Sequence, residues 1–274
     1  MIPYTKAHAC GNDFLIVTEE DAQGRDWAEL TRRLCARNTG VGADGIEFFA
    51  WTGTRAGRIR LHNADGSIAE ISGNGTRCVA AWMARERGLA AGDELEIATD
   101  AGVRVCRVNA VHDDGGYTVE VTTGMGVPMF ERRTVVLADD TRIAGIVVST
   151  GNPHFVIVVE SADFSVAGRT WQSIGAEVCV HRDFPQQTNV EFLRVGDGGE
   201  ILIRIFERGV GPTTSSGTGT SAAATAAMAF EGCISPLTVV APGGEQTVAW
   251  DGPGTELFLT GPAALIARGE AWDE

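Results

Sequence analysis

Lysine is nearly missing from this chain of 274 residues: Lys6 is the only one. A pyridoxal-phosphate enzyme needs a lysine amine for its Schiff base, and Lys6, in the strand-like opening segment, is badly placed to serve. Basic charge is scarce too. The 22 Lys and Arg residues against 36 Asp and Glu leave a net charge of −14. A phosphate-backbone binder needs a basic face, so no nucleic-acid partner is expected and a solvated acidic surface is the plain reading. No uninterrupted apolar run reaches the ~18 residues that suggest a membrane span, and the N-terminus enters a strand pattern directly instead of a signal peptide. The six cysteines, Cys10, Cys35, Cys78, Cys106, Cys179 and Cys233, form no Cys-x-x-Cys pair, so no metal or redox centre is indicated. Reduced thiols and the absence of these signals point to a cytoplasmic protein.

The sequence contains a repeat. Ser72-Gly73-Asn74-Gly75-Thr76 returns 144 residues later as Ser216-Gly217-Thr218-Gly219-Thr220. Gly11-Asn12-Asp13-Phe14-Leu15-Ile16-Val17 returns 140 residues later as Gly151-Asn152-Pro153-His154-Phe155-Val156-Ile157-Val158. One fold used twice is the direct inference, with two Gly-rich loops expected to face each other across a cleft. Such a site suits inversion at a carbon, where one group removes a proton and another returns it from the opposite side.

The 274 residues accommodate two domains of ordinary size. The boundary is expected between Thr123 and Val147. The first half takes residues 1–125 together with a returning tail of about 262–274, and the second takes 126–261. Period-2 apolar patterns predict strands at Phe14–Thr18, Val103–Val108, Tyr117–Thr122, Thr134–Leu137, Gly145–Ser149, Phe155–Val159, Asn189–Val195, Ile201–Phe206, Leu237–Ala241, Gln246–Trp250 and Leu257–Thr260. Helices are predicted at Asp26–Arg37, with Asp26 as N-cap, and directly after each Gly-rich loop, at Thr76–Arg87 and Thr220–Phe230. Gly88 and Gly232 stand where C-terminal caps belong.

A helix terminus with free N–H groups and glycines that let a ligand come close is a natural anion site. One such loop reads equally well as a helix capped by serine; two matched loops make the functional reading stronger. There is no P-loop pattern, and Gly40-Val41-Gly42-Ala43-Asp44-Gly45 follows a helix instead of a strand, against dinucleotide binding. Glu207-Arg208, ahead of the second loop, offers a guanidinium for a carboxylate, although a surface ion pair would look the same. Asn12, Asn63, Asn74, Asn152 and Asn189 lie at strand or loop ends, where each could simply make a turn or could meet both charges of an amino acid. His154 stands evenly between a structural and a functional role, promoted only by its place in the repeat.

These residues together resemble diaminopimelate epimerase along the whole chain. The pattern runs through Gly11-Asn12-Asp13-Phe14, Gly40 to Gly45, Asn63-Ala64-Asp65-Gly66-Ser67, Glu70, and Ser72-Gly73-Asn74-Gly75-Thr76-Arg77-Cys78. It continues in Gly151-Asn152-Pro153-His154, Thr188-Asn189, Glu207-Arg208-Gly209-Val210-Gly211, Ser216-Gly217-Thr218-Gly219 and Pro242-Gly243-Gly244. The resemblance implies an α/β (α+β) fold of two pseudo-symmetric, strand-rich, barrel-like domains, each around a central helix. It implies a cofactor-independent isomerase of lysine biosynthesis, interconverting LL- and meso-diaminopimelate, usually a homodimer. By that likeness Asn12, Asn63, Asn152, Asn189, Glu207 and Arg208 hold the distal amino-acid end, Gly73, Asn74, Gly217 and Thr218 cradle the reacting carboxylate, and His154 joins the binding set.

The chain departs from the family at the two base positions, which are cysteines there and Ser72 and Ser216 here. A thiol can be tuned to a thiolate near neutral pH; a serine hydroxyl is no competent base unless another group deprotonates it. Pro212 also replaces a usual glutamate. Three readings stand open: serines placed to trap substrate in an inactive enzyme, serines activated by neighbours on this or another amino acid, and a homologue that binds without catalysis. A serine hydrolase is a fourth and weaker reading, since the chain has no Gly-x-Ser-x-Gly elbow and neither serine adjoins a histidine; labelling by a fluorophosphonate would revive it.

Overall fold

Alternating burial along short strands, with glycines at the turns between them, organises most of the molecule. The computed structural model describes residues 1–69 and 71–272, so Glu70 of the sequence pattern lies outside the described residues. The chain divides into two units, residues 1–124 with 260–274, and residues 125–259.

The first unit contains β1 (Ile2–Ala9), β2 (Asn12–Thr18), α1 (Trp27–Cys35), β3 (Gly45–Trp51), β4 (Ala56–Asn63), β5 (Ile68–Ala69), α2 (Gly73–Arg87), β6 (Glu94–Thr99), β7 (Gly102–His112) and β8 (Tyr117–Gly124). The second contains β9 (Met129–Val136), β10 (Arg142–Ser149), β11 (Pro153–Val158), α3 (Trp171–Cys179), β12 (Asn189–Val195), β13 (Ile201–Glu207), β14 (Gly211–Thr213), α4 (Gly217–Phe230), β15 (Leu237–Ala241) and β16 (Gly244–Trp250). The last strand, β17 (Leu257–Ala271), starts in the second unit and continues into the first.

Pairing in the first unit runs β1–β2–β3–β4–β6–β7–β8–β17 and returns to β1, a closed ring. Closure leaves no exposed edge among these strands. The ring encloses α2, whose Cys78, Val79, Ala80, Ala81, Met83 and Ala84 are buried against β-strand side chains such as Phe14, Leu61, Leu95, Val108 and Val119. In the second unit α4 plays the same part. Its run of small residues, Ala222 to Ala227 among them, packs under Leu193, Ile203, Ile205, Val239 and Val248. Alanine allows close approach of helix and strand and is the best helix former.

The duplication extends to pairing sense. From β1 through β7 the successive pairs are antiparallel, parallel, antiparallel, parallel and antiparallel. From β10 through β16 they repeat in the same order. A short strand, β5 or β14, hangs on β4 or β13 just ahead of each loop helix.

Several elements escape the sequence pattern. Strand β3, Gly45 to Trp51, is buried without clean alternation and carries Glu47 among apolar residues, and β4 alternates exposed Arg58 and Arg60 with buried Ile59 and Leu61. Helix α3 carries Gly175 in its middle, a weak helix signal. A Cβ there would stand 2.8 Å from Phe206 Cβ, so packing selects glycine over propensity. Strand β17 runs on to Ala271, well past the expected Thr260.

Candidate functional site

Each loop helix is opened by its serine. Ser72 is the N-cap of α2, with its backbone extended at φ −123° and its Oγ accepting from Gly75 N–H at 3.0 Å. Ser216 caps α4 at φ −148°, with Oγ accepting from Gly219 N–H at 3.3 Å. In both, the serine carbonyl accepts the first helical N–H, from Thr76 at 2.8 Å and from Thr220 at 2.9 Å. The capping and functional readings therefore coexist at one atom, because the oxygen that ends the helix also stands at its positive pole. Ser72 is half-buried and Ser216 buried.

Behind the first loop lies a polar network. Asn74, fully buried, donates to Asn12 Oδ1 at 3.1 Å, and Asn12 donates to Asp44 Oδ2 at 2.6 Å. Asn74 Oδ1 also accepts from the buried Arg77 guanidinium at 2.6 Å. Asp44 and Asp13 share Arg37, and Lys6 Nζ reaches Asp13 at 3.0 Å and Gly42 O at 2.6 Å. Burial alone would raise the Asp13 carboxyl, but the hydrogen bonds and charges of Arg37 and Lys6 outweigh it and hold Asp13 below the usual carboxylate range. Asn63 closes its own turn, donating to Ser67 Oγ at 3.1 Å, while the following Ala64 N–H reaches Asp44 O at 2.9 Å.

The second loop is supported differently. Thr218 Oγ1 lies 3.5 Å from Ser216 Oγ and accepts from Asn152 at 3.2 Å. Asn152 Oδ1 lies 3.0 Å from His154 Nε2, and His154 Nδ1 lies 2.8 Å from Glu191 Oε1. A continuous chain of polar contacts thus joins a fully buried carboxyl to the hydroxyl of Ser216. Asn152 donates its amide to Thr218, so its oxygen takes a proton donor, which fixes Nε2 of His154 as N–H. One further proton lies between Nδ1 and Glu191 in either charge form of that pair. Asn189 Oδ1 accepts from Arg208 N–H at 3.0 Å, and the Arg208 guanidinium reaches Gln186 O at 3.2 Å.

Sequence reasoning passed over Glu191 and its counterpart Glu47. Both are wholly buried in apolar strands, and each lies against a loop helix. A Cβ added to Gly219 would stand 2.7 Å from Glu191 Oε1, and one added to Gly75 would collide with Glu47 Oε1. The signal was present: Ile46-Glu47-Phe48 and Val190-Glu191-Phe192 form a third repeat at the same 144-residue offset. All six cysteines are free thiols. Cys78 is buried on α2, and burial, against the opposing pull of Arg77, drives its thiol far above the usual range. It is no substitute for a reactive thiol at position 72.

Against known proteins, the family profile described as diaminopimelate epimerase matches residues 4–130 and 146–266. A diaminopimelate epimerase of Moorella thermoacetica is 36% identical over 282 residues, covering 97% of this chain and 98% of the relative. One from Desulforudis audaxviator is 37% identical over 281 residues with the same coverage. Among solved structures, a predicted epimerase of Pseudomonas aeruginosa superposes at a TM-score of 0.74 with 17% identity, covering 100% of both chains. A hydroxyproline epimerase of Agrobacterium vitis gives 0.69 with 16% identity, over 98% of this chain and 90% of that one. At those identities the structures speak for the fold alone.

Proposed function

The chain belongs to the diaminopimelate epimerase family, and from that premise we propose that it acts on diaminopimelate, binding the LL and meso forms at one α-carbon with Ser72 and Ser216 at the two base positions. The observation that carries this reading is the matched pair of loops: in each unit a serine Oγ caps a helix whose first-turn N–H groups attract an anion. The α-carboxylate is assigned to Gly73, Asn74, Gly217 and Thr218. Asn12, Asn63, Asn152, Asn189, Glu207 and Arg208 are assigned to the distal end. His154 acts from behind, since both its ring nitrogens are already engaged.

The proton step follows from chemistry. A base takes the α-proton on one face, leaving a carbanion whose charge spreads into the carboxylate, and an acid on the other face returns a proton. Helix-terminal N–H groups stabilise the charge that grows on the carboxylate. A serine has too weak a hydroxyl to begin this at neutral pH without help. The proposal is therefore a binding-competent protein with slow proton transfer. Homodimer formation and a cytoplasmic location are further expectations from the family; exposed Val103, Val105 and Ile266 on the first unit supply apolar surface for a partner copy.

The test is isothermal calorimetry with meso-diaminopimelate alongside proton NMR of its α-hydrogen in heavy water. Saturable binding with slow α-hydrogen loss supports the reading, and absence of binding rejects it.

A further inference from the structure

The two buried glutamates occupy matching places, and among the described residues only one of them has a side-chain hydrogen-bond partner. Glu47 stands across from Ile16 on β2 and Leu61 on β4; Glu191 stands across from Val156 on β11 and Ile205 on β13. A Cβ built on the third residue of each loop helix would collide with Glu47 Oε1 at Gly75 or stand 2.7 Å from Glu191 Oε1 at Gly219, and in both places it would lie 3.2 Å from the Cβ of the capping serine, Ser72 or Ser216. In the second unit His154 meets the carboxyl at 2.8 Å. The repeat Gly11-Asn12-Asp13-Phe14 puts Phe14 where Gly151-Asn152-Pro153-His154 puts His154, and a phenyl ring neither gives nor takes a proton. Among the described residues, neither oxygen of Glu47 has a hydrogen-bond partner.

Among the described residues no charged group is hydrogen-bonded to it. Ile16 and Leu61 are apolar. On α2 the titratable neighbour is Cys78, itself a neutral thiol that Glu47 helps to keep protonated. Arg77, on the same helix, is turned to Asn74. A neutral carboxylic acid is tolerable in such a place, whereas an unpaired carboxylate is not.

We infer that Glu47 is a positioning residue for the Ser72 half of the site: protonated, it leaves the first turn of α2 free to hold an anion, and ionised, it opposes that anion. The inference rests on the anion site assigned above. The physics is that of a helix terminus. Its N–H groups attract a carboxylate, and a negative charge pressed against the same turn cancels that attraction at short range. Burial lifts the Glu47 carboxyl to about 8, which places the change at mildly alkaline pH. Glu191 differs in having His154 Nδ1 at 2.8 Å to share its proton.

Two measurements on the full chain test this. First, calorimetry with meso-diaminopimelate from about pH 7 to about pH 9.5 should show affinity falling about tenfold in the unaltered protein beyond any fall in Glu47→Gln, which differs only in lacking the titration. Parallel curves overturn the inference. Second, a Ser72→Cys variant puts an anion-forming group at the same turn without any ligand. Its alkylation by iodoacetamide, followed by peptide mass spectrometry, should shift to lower pH when Glu47→Gln is added. No shift overturns the inference whether or not diaminopimelate binds, while failure of diaminopimelate to bind at every pH, with the alkylation shift present, sinks the assigned substrate and keeps Glu47 in its role.

Discussion

Serine and cysteine differ by one atom, and on the proposed function that atom decides the chemistry at positions 72 and 216. Both side chains fit an N-cap, but only the thiol can be ionised near neutral pH. Ser72→Cys with Ser216→Cys should raise α-hydrogen exchange by orders of magnitude, and either single change should support exchange mainly from one of the two epimers. Proton NMR in heavy water reads both. The two capping serines and the family pattern were legible in the sequence because they cluster around glycines in a repeated order. Glu47 and Glu191 were not singled out, because a glutamate inside an apolar strand gives no sign of what it touches until the strand register is known. A second residue-scale expectation concerns stability. The Glu47 carboxyl is raised from 4.5 to about 8 in the folded protein, so the native state keeps a proton that the unfolded chain has released. Stability is then lost as pH rises from about 4.5 to about 8. Glu47→Leu should be more stable than the parent, by a margin that widens across that window and levels off above it; denaturant unfolding at several pH values measures this, and a constant margin refutes the buried titration.

The helices and strands that hold these residues give a sharper mechanical test. Gly75 lies so near Glu47 Oε1 that no Cβ fits without movement. Gly75→Ala should destabilise the protein by about 1–3 kcal/mol, and Glu47→Ala in the same chain should recover much of that loss. The double-mutant cycle separates this contact from a general intolerance of alanine in the first turn. The loop helices were visible in the sequence from their caps and alanine content. Strand β3 and helix α3 were hidden because tertiary packing, not local pattern, fixes them, whereas β4 shows a short Arg58-Ile59-Arg60-Leu61 alternation that was passed over. Gly175 under Phe206 is the plainest instance.

At the scale of the molecule, the first unit is a closed ring that depends on the last strand of the chain. β17 pairs with β1 through Ile2–Ala271 to His8–Ala264, and Thr260 Oγ1 lies 2.7 Å from Thr122 Oγ1 on β8. Ending the chain before β17 removes the strand between β8 and β1 and exposes two edges. Such a truncation should fail to give cooperative unfolding of the first unit, seen as loss of the Trp27, Trp51 and Trp82 fluorescence transition. The length of β17 was not readable in the sequence, since Gly261 and Pro262 interrupt its apolar alternation.

The proposed function makes Ser72 and Ser216 the two base positions of an epimerase. Its most direct measurement is deuterium incorporation at the α-carbon of LL- and of meso-diaminopimelate by the unaltered protein and by the folded Ser72→Cys, Ser216→Cys double variant. The account predicts rapid exchange from both isomers in the double variant and slow exchange in the parent. Equal rates in the two proteins, with binding intact, would contradict it.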